Sequence, residues 1–332
     1  MDANQASQER PPIGVVIPCY RVKAQILQVI AAIGPEATHI YVIDDDCPDG
    51  SGALVAAQVT DPRVRVIQRK INGGVGAATI TGYQAALAEG CQVVVKIDGD
   101  GQMDPRLLAR FVRPILAGHA DYTKGNRFFN PEDVRAMPFV RLFGNAVLSF
   151  MNKLSSGYWS LFDPTNGFTA IHAKLLRQLP FARISPRYFF ESDMLFRLGT
   201  VRAVVLDIPM TAIYGDEISN LRIGSVLPKF LAGHARNFCK RLVYNYFLRD
   251  FSIATINLLA GLGLMGFGTL FGLWQWWVNA AQDRITSSGT VMLAALPIIL
   301  GLQLLLSFLA YDIAAVPQQP IHLLLANPGE EP

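Results

Sequence analysis

Two long stretches without a charged side chain constrain this chain more than any other feature. Phe251–Val278 and Thr290–Tyr311 contain no Asp, Glu, Lys or Arg, and each exceeds the roughly 20 apolar residues that cross a bilayer as a helix. The polar segment between them, Asn279–Gly289, is short, which is typical of a helical hairpin. Three of the four tryptophans lie near the far end of the first stretch, as in an aromatic belt. We therefore predict a multi-pass membrane protein.

Charges beside these stretches predict the orientation of the chain. Residues 224–250 are expected to form a juxtamembrane helix, whose cations alternate with aromatic side chains: Lys229, Arg236, Lys240, Arg241 and Arg249. Cations next to a span stay on the cytoplasmic side, so residues 13–223 are expected in the cytoplasm and the spans in the inner (cytoplasmic) membrane. The tail, residues 312–332, has no Lys or Arg and is expected on the same side, because two spans return the chain.

Composition narrows the class of protein. The chain has 332 residues, of which 51% are hydrophobic and 17% charged, and its mean hydropathy of +0.28 reflects mainly the part after residue 250. A formal net charge of +3 gives no reason to expect nucleic-acid binding. The four cysteines form no CxxC pair, so we expect reduced thiols in a cytosolic compartment. Residues 1–12 are polar and are predicted to be disordered, without a signal peptide.

Short apolar runs alternate with helical segments between residues 13 and 223. This alternation predicts βαβ units and a sheet of parallel strands. The predicted strands are Ile13–Pro18, His39–Ile43, Val64–Gln68, Val93–Ile97, Asp121–Phe129, Phe168–His172 and Val204–Met210. The predicted helices are Val22–Ile33, a segment ending near Val59, a glycine-led segment ending near Glu89, Phe139–Tyr158 and Arg187–Leu198.

Acidic residues follow two of the predicted strands. Asp44–Asp46 come directly after the second strand, and Asp98 and Asp100 follow the apolar run Val93–Ile97. Because the carboxyl ends of parallel strands meet at one edge of a sheet, we expect these carboxylates to converge there, together with Tyr20. Two carboxylates separated by one small glycine suit Mg²⁺ or Mn²⁺. Taken alone, the same pattern also fits a solvated acidic turn.

A glycine-rich turn, Asn72–Gly76, opens the helix after the third strand. A dinucleotide-binding fingerprint would follow the first strand instead, where the chain has Pro18, Cys19 and Tyr20, so a Rossmann-type oxidoreductase is disfavoured. Two interpretations of the glycines remain open. They could let a ligand phosphate approach the helix N-terminus, or they could permit close packing of the helix on its neighbours.

Some charged residues lie among apolar or aromatic neighbours. Lys124 and Arg127 are candidates for phosphate contacts, and Arg127 is the better one. Glu191 and Asp193 lie among aromatic residues in a predicted helix, where carboxylates have a functional role or pair with nearby arginines. The helix Phe139–Tyr158 has a wide apolar face and few cations, which fits either a core helix or a helix in a membrane interface.

Six motifs, in their order along the chain, resemble those of the family 2 glycosyltransferases. They are IPCY at 17–20, IDDDCPDGS at 43–51, NGGVGAA at 72–78, DGDGQ at 98–102, GNRF at 125–128 and DPTNGF at 163–168. Within that family the chain is similar to polyprenyl-phosphate sugar synthases of the dolichol-phosphate mannose synthase type, and the paired C-terminal spans match the bacterial branch. The resemblance covers residues 13–221. It implies an α/β GT-A domain with a Rossmann-like mixed sheet that binds a nucleotide sugar, then interfacial amphipathic helices and a transmembrane hairpin.

The resemblance also implies roles for individual residues. A divalent metal, Mg²⁺ or Mn²⁺, would be held on the donor diphosphate by Asp98, Asp100 and Gln102. The nucleotide sugar would be bound by Pro18, Tyr20, Asp44, Asp45, Asn72, Gly76, Lys96 and Asp98. The acceptor phosphate would be bound by Lys124, Arg127 and Arg141. The catalytic set would comprise Asp98, Asp100, Arg127, Glu191 and Asp193.

The chain departs from the family pattern at two places. Asp46 stands where a glycine is usual. The usual arginine near the end of the domain is not evident in Ala212–Leu221, and Arg222 is the substitute that the sequence offers for contacts to the donor pyrophosphate.

The function implied by the resemblance is a metal-dependent, inverting hexosyl transfer from a UDP- or GDP-sugar to a polyprenyl phosphate, for assembly of a cell-surface glycan. One alternative is a glycosyltransferase that acts on a hydroxyl of a lipid-linked glycan. Another is a non-catalytic membrane module that binds a nucleotide sugar. A processive polysaccharide synthase is disfavoured because the chain has no QxxRW sequence. Two spans per chain leave room for a homo-oligomer.

Overall fold

The structure is a computed structural model that describes residues 11–129, 139–211 and 223–326. The chain divides into two compact units. The first comprises Met1–Asn237 and Pro317–Pro332, and the second comprises Phe238–Val316. Arg222 and the segment Ala212–Leu221, which the sequence analysis singled out, lie outside the described residues.

The first unit alternates strands and helices, as the sequence predicts. The strands are β1 Ile13–Cys19, β2 His39–Asp44, β3 Val64–Gln68, β4 Val93–Lys96, β5 Tyr122–Asn126, β6 Thr169–His172 and β7 Val205–Pro209. The helices are α1 Ile26–Ala31, α2 Ser51–Gln58, α3 Val75–Ala88, α4 Leu108–Leu116, α5 Phe139–Ser156, α6 Ala173–Arg177, α7 Phe190–Thr200 and α8 Ile223–Val243. The last part of α8, from Phe238 on, belongs to the second unit. Helix α1 is shorter than predicted, because the chain turns between Val22 and Gln25 before the helix begins.

The seven strands form one sheet in the order β3-β2-β1-β4-β6-β5-β7. Strands β1 to β4 are parallel and β5 is parallel to β7, whereas β6 runs antiparallel to both of its neighbours. A wholly parallel sheet is therefore wrong at β6, and the mixed sheet is confirmed. Strand β6 runs backwards because the turn at residues 163–168 enters it from the edge where β4 ends, so that Thr169 pairs with Lys96.

The central strands are buried on both faces, as their continuous apolar runs predict. Val15, Val16 and Ile17 of β1 are fully enclosed between the two helical layers. Helix α3 packs closely on β1 at Gly82, where an added Cβ would lie 2.2 Å from Val16 Cγ1. This rigid sheet fixes the positions of the residues that follow the strands at its carboxyl-end edge.

Residues 317–326, which we call the C-terminal strap, bind the first unit at the beginning of β5. The buried carboxylate of Asp121 accepts hydrogen bonds from the backbone N–H groups of Ile321 (2.9 Å) and His322 (2.7 Å), and from that of Val204 (2.7 Å). The rings of His322 and His172 are stacked with their centroids 4.2 Å apart. Burial, and then His322, lower the pKa of His172 to about 4. The strap was predicted only as a tail, because no local pattern marks its binding.

The strap can be tested with Asp121→Ala. The substitution leaves three backbone N–H groups without their acceptor, and each unsatisfied group costs about 1–3 kcal/mol. We expect the amides of Ile321 and His322 to lose most of their hydrogen-exchange protection, while those of β1 keep theirs. Asp104→Ala, which removes a carboxylate paired with the exposed Arg106, is the control and should leave the strap protected. Unchanged protection in Asp121→Ala would contradict the role of Asp121.

The second unit is built around an antiparallel pair of long helices, α9 Ile253–Ala281 and α10 Ser288–Ala314. Both are long and apolar enough to cross a membrane, and most of their surface is exposed. Glycines let the helices approach closely: a Cβ at Gly261 would lie 3.0 Å from Gly301 O, and one at Gly268 would lie 2.6 Å from Ala294 O. Small residues at such contacts are typical of helix pairs in lipid.

A buried ion pair joins α10 to the segment that precedes the hairpin. Arg241 of α8 donates to Asp312 from Nη1 (2.6 Å) and Nη2 (2.9 Å), and the hydroxyl of Tyr246 donates to the same carboxylate. Tyr246 belongs to a π-helical turn, Tyr244–Arg249, which follows α8 directly. The predicted juxtamembrane segment therefore forms helical structure, and its Arg241 is used inside the second unit.

Candidate active site

A buried lysine lies at the centre of the carboxyl-end edge of the sheet. Lys96 is the last residue of β4, and its side chain is 1% exposed. Its Nζ lies 2.6 Å from Asp98 Oδ1 and 3.2 Å from Glu191 Oε1, and it donates to Gly167 O at 3.3 Å. Burial alone would lower the pKa of Lys96, but the negative charges of Asp98 and Glu191 outweigh it and raise that pKa above its ordinary value. Lys96 is therefore a fixed internal cation.

The predicted metal ligands lie in the turn directly after β4. Asp98 is 28% exposed, and the carboxylate of Asp100 accepts a hydrogen bond from the backbone N–H of Gln102 at 3.0 Å. Gly167 lies against this turn, since a Cβ there would be 2.1 Å from Asp98 Oδ2. No group of three or more His, Cys, Asp or Glu side chains suited to a metal occurs among the described residues. The predicted set instead has two carboxylates and one amide.

Asp45 holds the glycine-rich turn in place. Its carboxylate accepts from the backbone N–H groups of Gly73 (3.0 Å) and Gly74 (2.7 Å) and from Arg69 Nε (2.8 Å). Asn72 Nδ2 donates to the backbone oxygen of Asp45 at 3.0 Å. Two of the residues predicted to bind the nucleotide sugar, Asp45 and Asn72, thus bind each other. Their contacts shape the edge of the sheet beside β2.

The contacts of Gly76 favour close packing of α3. A Cβ at Gly76 would lie 2.5 Å from Ser185 O and 2.7 Å from Phe190 Cδ2, and the backbone N–H of Ala77 donates to Pro186 O at 3.0 Å. The segment that precedes α7 therefore occupies the space in front of this helix. Of the two interpretations that the sequence left open, packing is the one that these contacts support.

Other predicted donor-site residues lie at the ends of β1 and β2. Pro18 pairs with Ile43 across the two strands, and Tyr20 just beyond β1 is 42% exposed. Asp44 is buried and accepts a hydrogen bond from the backbone N–H of Cys47 at 2.8 Å. Asp46 has a φ of +56°, a conformation in which glycine is favoured, which explains the family's usual residue at this position.

Arg127 and Asp163 form a paired contact on the other side of the site. Arg127 Nε lies 2.8 Å from Asp163 Oδ2, and Nη2 lies 3.0 Å from Oδ1. Burial would raise the pKa of Asp163, but the hydrogen bonds and charge of Arg127 lower it below its ordinary value. This pair joins the GNRF and DPTNGF motifs. Asp163 was not singled out from the sequence, although its motif was.

Lys124 is buried beneath this pair and not exposed beside it. Its Nζ donates to Asn166 O, and burial lowers the pKa of Lys124 to about 8. Its side chain is 1% exposed, so the structure does not bring the ammonium to the surface of the site. Arg141 belongs to α5, but its side chain lies outside the described part of the chain.

The two carboxylates of α7 make different contacts. Glu191 reaches Lys96 and so joins the cluster with Asp98. Asp193 is fully buried and accepts from the backbone N–H of Ser185 (2.9 Å) and from Asn237 Nδ2 (2.9 Å). The structure therefore brings Glu191 to the predicted metal ligands, whereas the contacts of Asp193 fix α7 to α8 and to the preceding loop.

Helix α5 buries polar side chains and exposes apolar ones, and α8 also exposes apolar side chains. Polar side chains of α5 are buried, whereas Phe143, Val147 and Phe150 are exposed. The buried polar residues of α5 are Ser149, Asn152, Ser155 and Ser156. On α8, His234 is buried and its Nδ1 lies 2.8 Å from Ser155 Oγ, whereas Leu227 and Leu231 are exposed. Exposed apolar faces of this kind mark surfaces that contact a partner or a membrane.

The mixed sheet, with its Asp-x-Asp turn at the carboxyl-end edge, has the arrangement expected of a GT-A glycosyltransferase domain. Residues 14–179, half of the chain, match the family described as Glycosyl transferase family 2. The chain therefore belongs to glycosyltransferase family 2.

The chain is similar to several curated relatives, and the matched regions cover most of each relative's length. The chain is 30% identical over 202 residues to polyprenol monophosphomannose synthase of Mycolicibacterium smegmatis, covering 59% of this chain and 76% of that protein. It is 27% identical over 218 residues to UDP-N-acetylglucosamine–dolichyl-phosphate N-acetylglucosaminyltransferase of Methanococcus voltae, covering 61% and 86%. It is 30% identical over 181 residues to undecaprenyl-phosphate mannosyltransferase of Micrococcus luteus, covering 54% and 73%.

A solved structure supports the fold. Glucosyl-3-phosphoglycerate synthase from Mycobacterium tuberculosis, in complex with Mn²⁺, UDP-glucose and phosphoglyceric acid, superimposes with a TM-score of 0.52 at 19% identity. The match covers 70% of this chain and 79% of that one. At this identity the likeness concerns the fold alone, and it confirms the GT-A fold.

One carboxylate near the site lacks a full set of partners. Asp207 Oδ2 accepts from Asn126 Nδ2 (3.1 Å) and from the backbone N–H of Phe162 (3.2 Å), whereas Oδ1 is buried with no hydrogen-bond partner among the described residues. Burial raises the pKa of Asp207 to about 6, with Lys124 and Asp163 as its charged neighbours.

This raised pKa predicts a pH-dependent effect of Asp207→Asn. The folded state binds a proton at Asp207 more tightly than the unfolded chain, so its stabilisation is present below about pH 4 and is lost as the pH rises through about 6. We expect Asp207→Asn to raise Tm near neutral pH and to leave it unchanged below about pH 4. Asp61→Asn is the control of opposite sign, because hydrogen bonds from Arg63 lower the pKa of Asp61. A Tm gain that is equal at both pH values would contradict the assignment.

Proposed function

We propose that this protein transfers a sugar from a UDP- or GDP-sugar to the phosphate of a polyprenyl phosphate, with inversion at the anomeric carbon. One observation carries the proposal. A glycosyltransferase family 2 domain and two helices long and apolar enough to cross a membrane occur in the same chain. The names of the relatives from Mycolicibacterium and Micrococcus refer to polyprenol or undecaprenyl-phosphate products and acceptors, which supports this acceptor class.

The residues after β4 fit a divalent cation. The carboxylates of Asp98 and Asp100 and the amide of Gln102 offer oxygen atoms, which Mg²⁺ and Mn²⁺ prefer. Gly167 leaves the space beside Asp98 Oδ2 without a side chain. When bound, such a cation would neutralise charge on the departing nucleoside diphosphate. The Mn²⁺ in the glucosyl-3-phosphoglycerate synthase complex supports the same choice of metal.

The remaining residues would bind and orient the two substrates. Tyr20, which is exposed at the end of β1, and the carboxylate of Asp44 would border the nucleoside. Arg127, held by Asp163, would meet the acceptor phosphate, whose oxygen is already anionic and needs no strong base. Glu191 would orient the donor sugar. Asp193 and Lys124 would not contact a substrate directly, because both side chains are buried.

Helices of each unit suit contact with a membrane, from which the acceptor lipid would come. The exposed apolar faces of α5 and α8 suit the interface, and α9 and α10 suit the bilayer core. Cations that precede the hairpin favour a cytoplasmic catalytic domain at the inner membrane. The binding of the C-terminal strap to the first unit supports an even number of crossings.

The reaction is tested with purified protein, undecaprenyl phosphate, Mg²⁺ or Mn²⁺ and a panel of UDP- and GDP-sugars. We expect mass spectrometry to detect a lipid-linked sugar monophosphate with one donor. Asp100→Ala should lower the rate by roughly 100-fold or more, since it removes charge next to the leaving group. Asp104→Ala is the matched control in the same turn, paired with exposed Arg106, and should stay within about twofold. Donor hydrolysis without a lipid product would move the acceptor to a glycan hydroxyl.

The membrane role of α5 makes a separate prediction. Phe143→Ser combined with Phe150→Ser removes exposed apolar area of the kind that binds lipid at about 25 cal/mol per Å². We expect KM for polyprenyl phosphate in vesicles to rise about tenfold, while the KM for the nucleotide sugar is unchanged. Leu116→Ser, at an exposed apolar residue of α4, is the control. Equal KM values for the lipid in all three proteins would contradict an interfacial α5.

A further inference from the structure

Lys96 is enclosed too completely to bind the donor directly. Its side chain is 1% exposed, and its ammonium already contacts Asp98, Glu191 and Gly167 O. These three partners come from different parts of the chain: the turn after β4, the start of α7 and the turn that precedes β6. A single side chain therefore fixes three segments to one another. The resemblance implied donor binding by Lys96, whereas the contacts of its ammonium lie within the protein.

Lys96 offsets one of the two negative charges of this cluster, whose net charge is −1 with the ammonium and −2 without it. Asp98 is 28% exposed and Glu191 12% exposed, so both carboxylates are poorly solvated. Two carboxylates that share one ammonium repel each other strongly once that ammonium is removed, because the local dielectric is low. Each would then turn away from the other. The orientation of Asp98 thus depends on Lys96 and on Glu191 together.

Lys124 provides a comparison within the same fold. It is equally buried on β5 and also donates to the turn that precedes β6, at Asn166 O. Among the described residues, however, it forms no ion pair, and burial lowers its pKa to about 8, whereas the pKa of Lys96 is raised. Both lysines hold the turn. Only Lys96 also bridges two carboxylates.

We propose that Lys96 is a positioning residue that holds Asp98 and Glu191 side by side at the donor site, which makes Glu191 part of that site and leaves Asp193 outside it. The inference rests on the proposed function in one respect, namely that Asp98 faces the donor diphosphate. It does not depend on the acceptor. Binding of a nucleotide in the absence of any lipid can therefore test it separately.

The experiment is a double-mutant cycle on the full-length protein in detergent. Lys96→Met, Glu191→Gln and the double variant are compared with the unchanged protein for Mn²⁺-dependent binding of UDP and of GDP, by calorimetry. We expect Lys96→Met to weaken binding about tenfold, since it leaves two adjacent carboxylates unpaired. Adding Glu191→Gln should recover about threefold or more, because it removes the repulsion. Tm should fall and recover in the same order.

One further variant, Lys124→Met, and one fallback comparison keep the outcome decisive. Lys124→Met removes an equally buried ammonium and a bond to the same turn, but no hydrogen bond or ion pair to Asp98 or Glu191. Its coupling to Glu191→Gln should therefore be smaller than that of Lys96→Met. If Lys96→Met does not fold, Glu191→Gln alone decides, because a lone Asp98 would be drawn more tightly to Lys96. We then expect weaker Mn²⁺-dependent nucleotide binding at a temperature well below Tm, although Tm itself falls because Lys96 loses one of its two carboxylate partners. Binding within twofold of the unchanged protein in Lys96→Met, or strictly additive effects, would overturn the proposal.

Discussion

The candidate site depends on one buried ammonium that faces two carboxylates. Lys96 ends the central strand β4, and its partners Asp98 and Glu191 come from segments more than 90 residues apart in the chain. Removing one member of such a cluster leaves uncompensated charge in a poorly solvated place, which is far more costly than losing an exposed ion pair. The antiparallel strand β6 completes the arrangement, because it delivers the turn at residues 163–168 to the same edge. The topology of the sheet therefore brings the turn that precedes β6 to the charge cluster around Lys96.

Two helices of the first unit, α5 and α8, have apolar side chains on their exposed faces. Helices α5 and α8 bury serine, asparagine and histidine side chains and expose phenylalanine and leucine. Four buried polar atoms of these two helices have no hydrogen-bond partner among the described residues. They are Ser149 Oγ, Asn152 Oδ1, His234 Nε2 and Asn237 Oδ1. A packing of this kind is stable only if the exposed apolar faces gain from their surroundings. The strap, bound through Asp121, adds a contact that does not depend on lipid.

Sequence patterns predicted the elements well and their contacts only in part. Buried strands and uncharged spans are local in origin, since burial on both faces or in lipid requires continuous apolar residues. The direction of β6 could not be predicted, because it follows from where the preceding turn lies. The burial of Lys96 and its two carboxylate partners could not be predicted either, because Glu191 comes from a segment distant in the chain. The pairing of Arg127 with Asp163, and the separate contacts of Glu191 and Asp193, depend on tertiary packing.

The central claim is that Asp98, Asp100 and Glu191 surround the donor while Lys96 holds Asp98 and Glu191 from beneath. The most direct measurement is a crystal structure of the protein with Mn²⁺ and UDP or GDP, using anomalous diffraction to locate the manganese. The account predicts one strong anomalous peak beside the carboxylates of Asp98 and Asp100, with Lys96 still bound to Asp98 and Glu191. A manganese peak elsewhere on the domain, or a Lys96 ammonium that contacts the nucleotide, would contradict it.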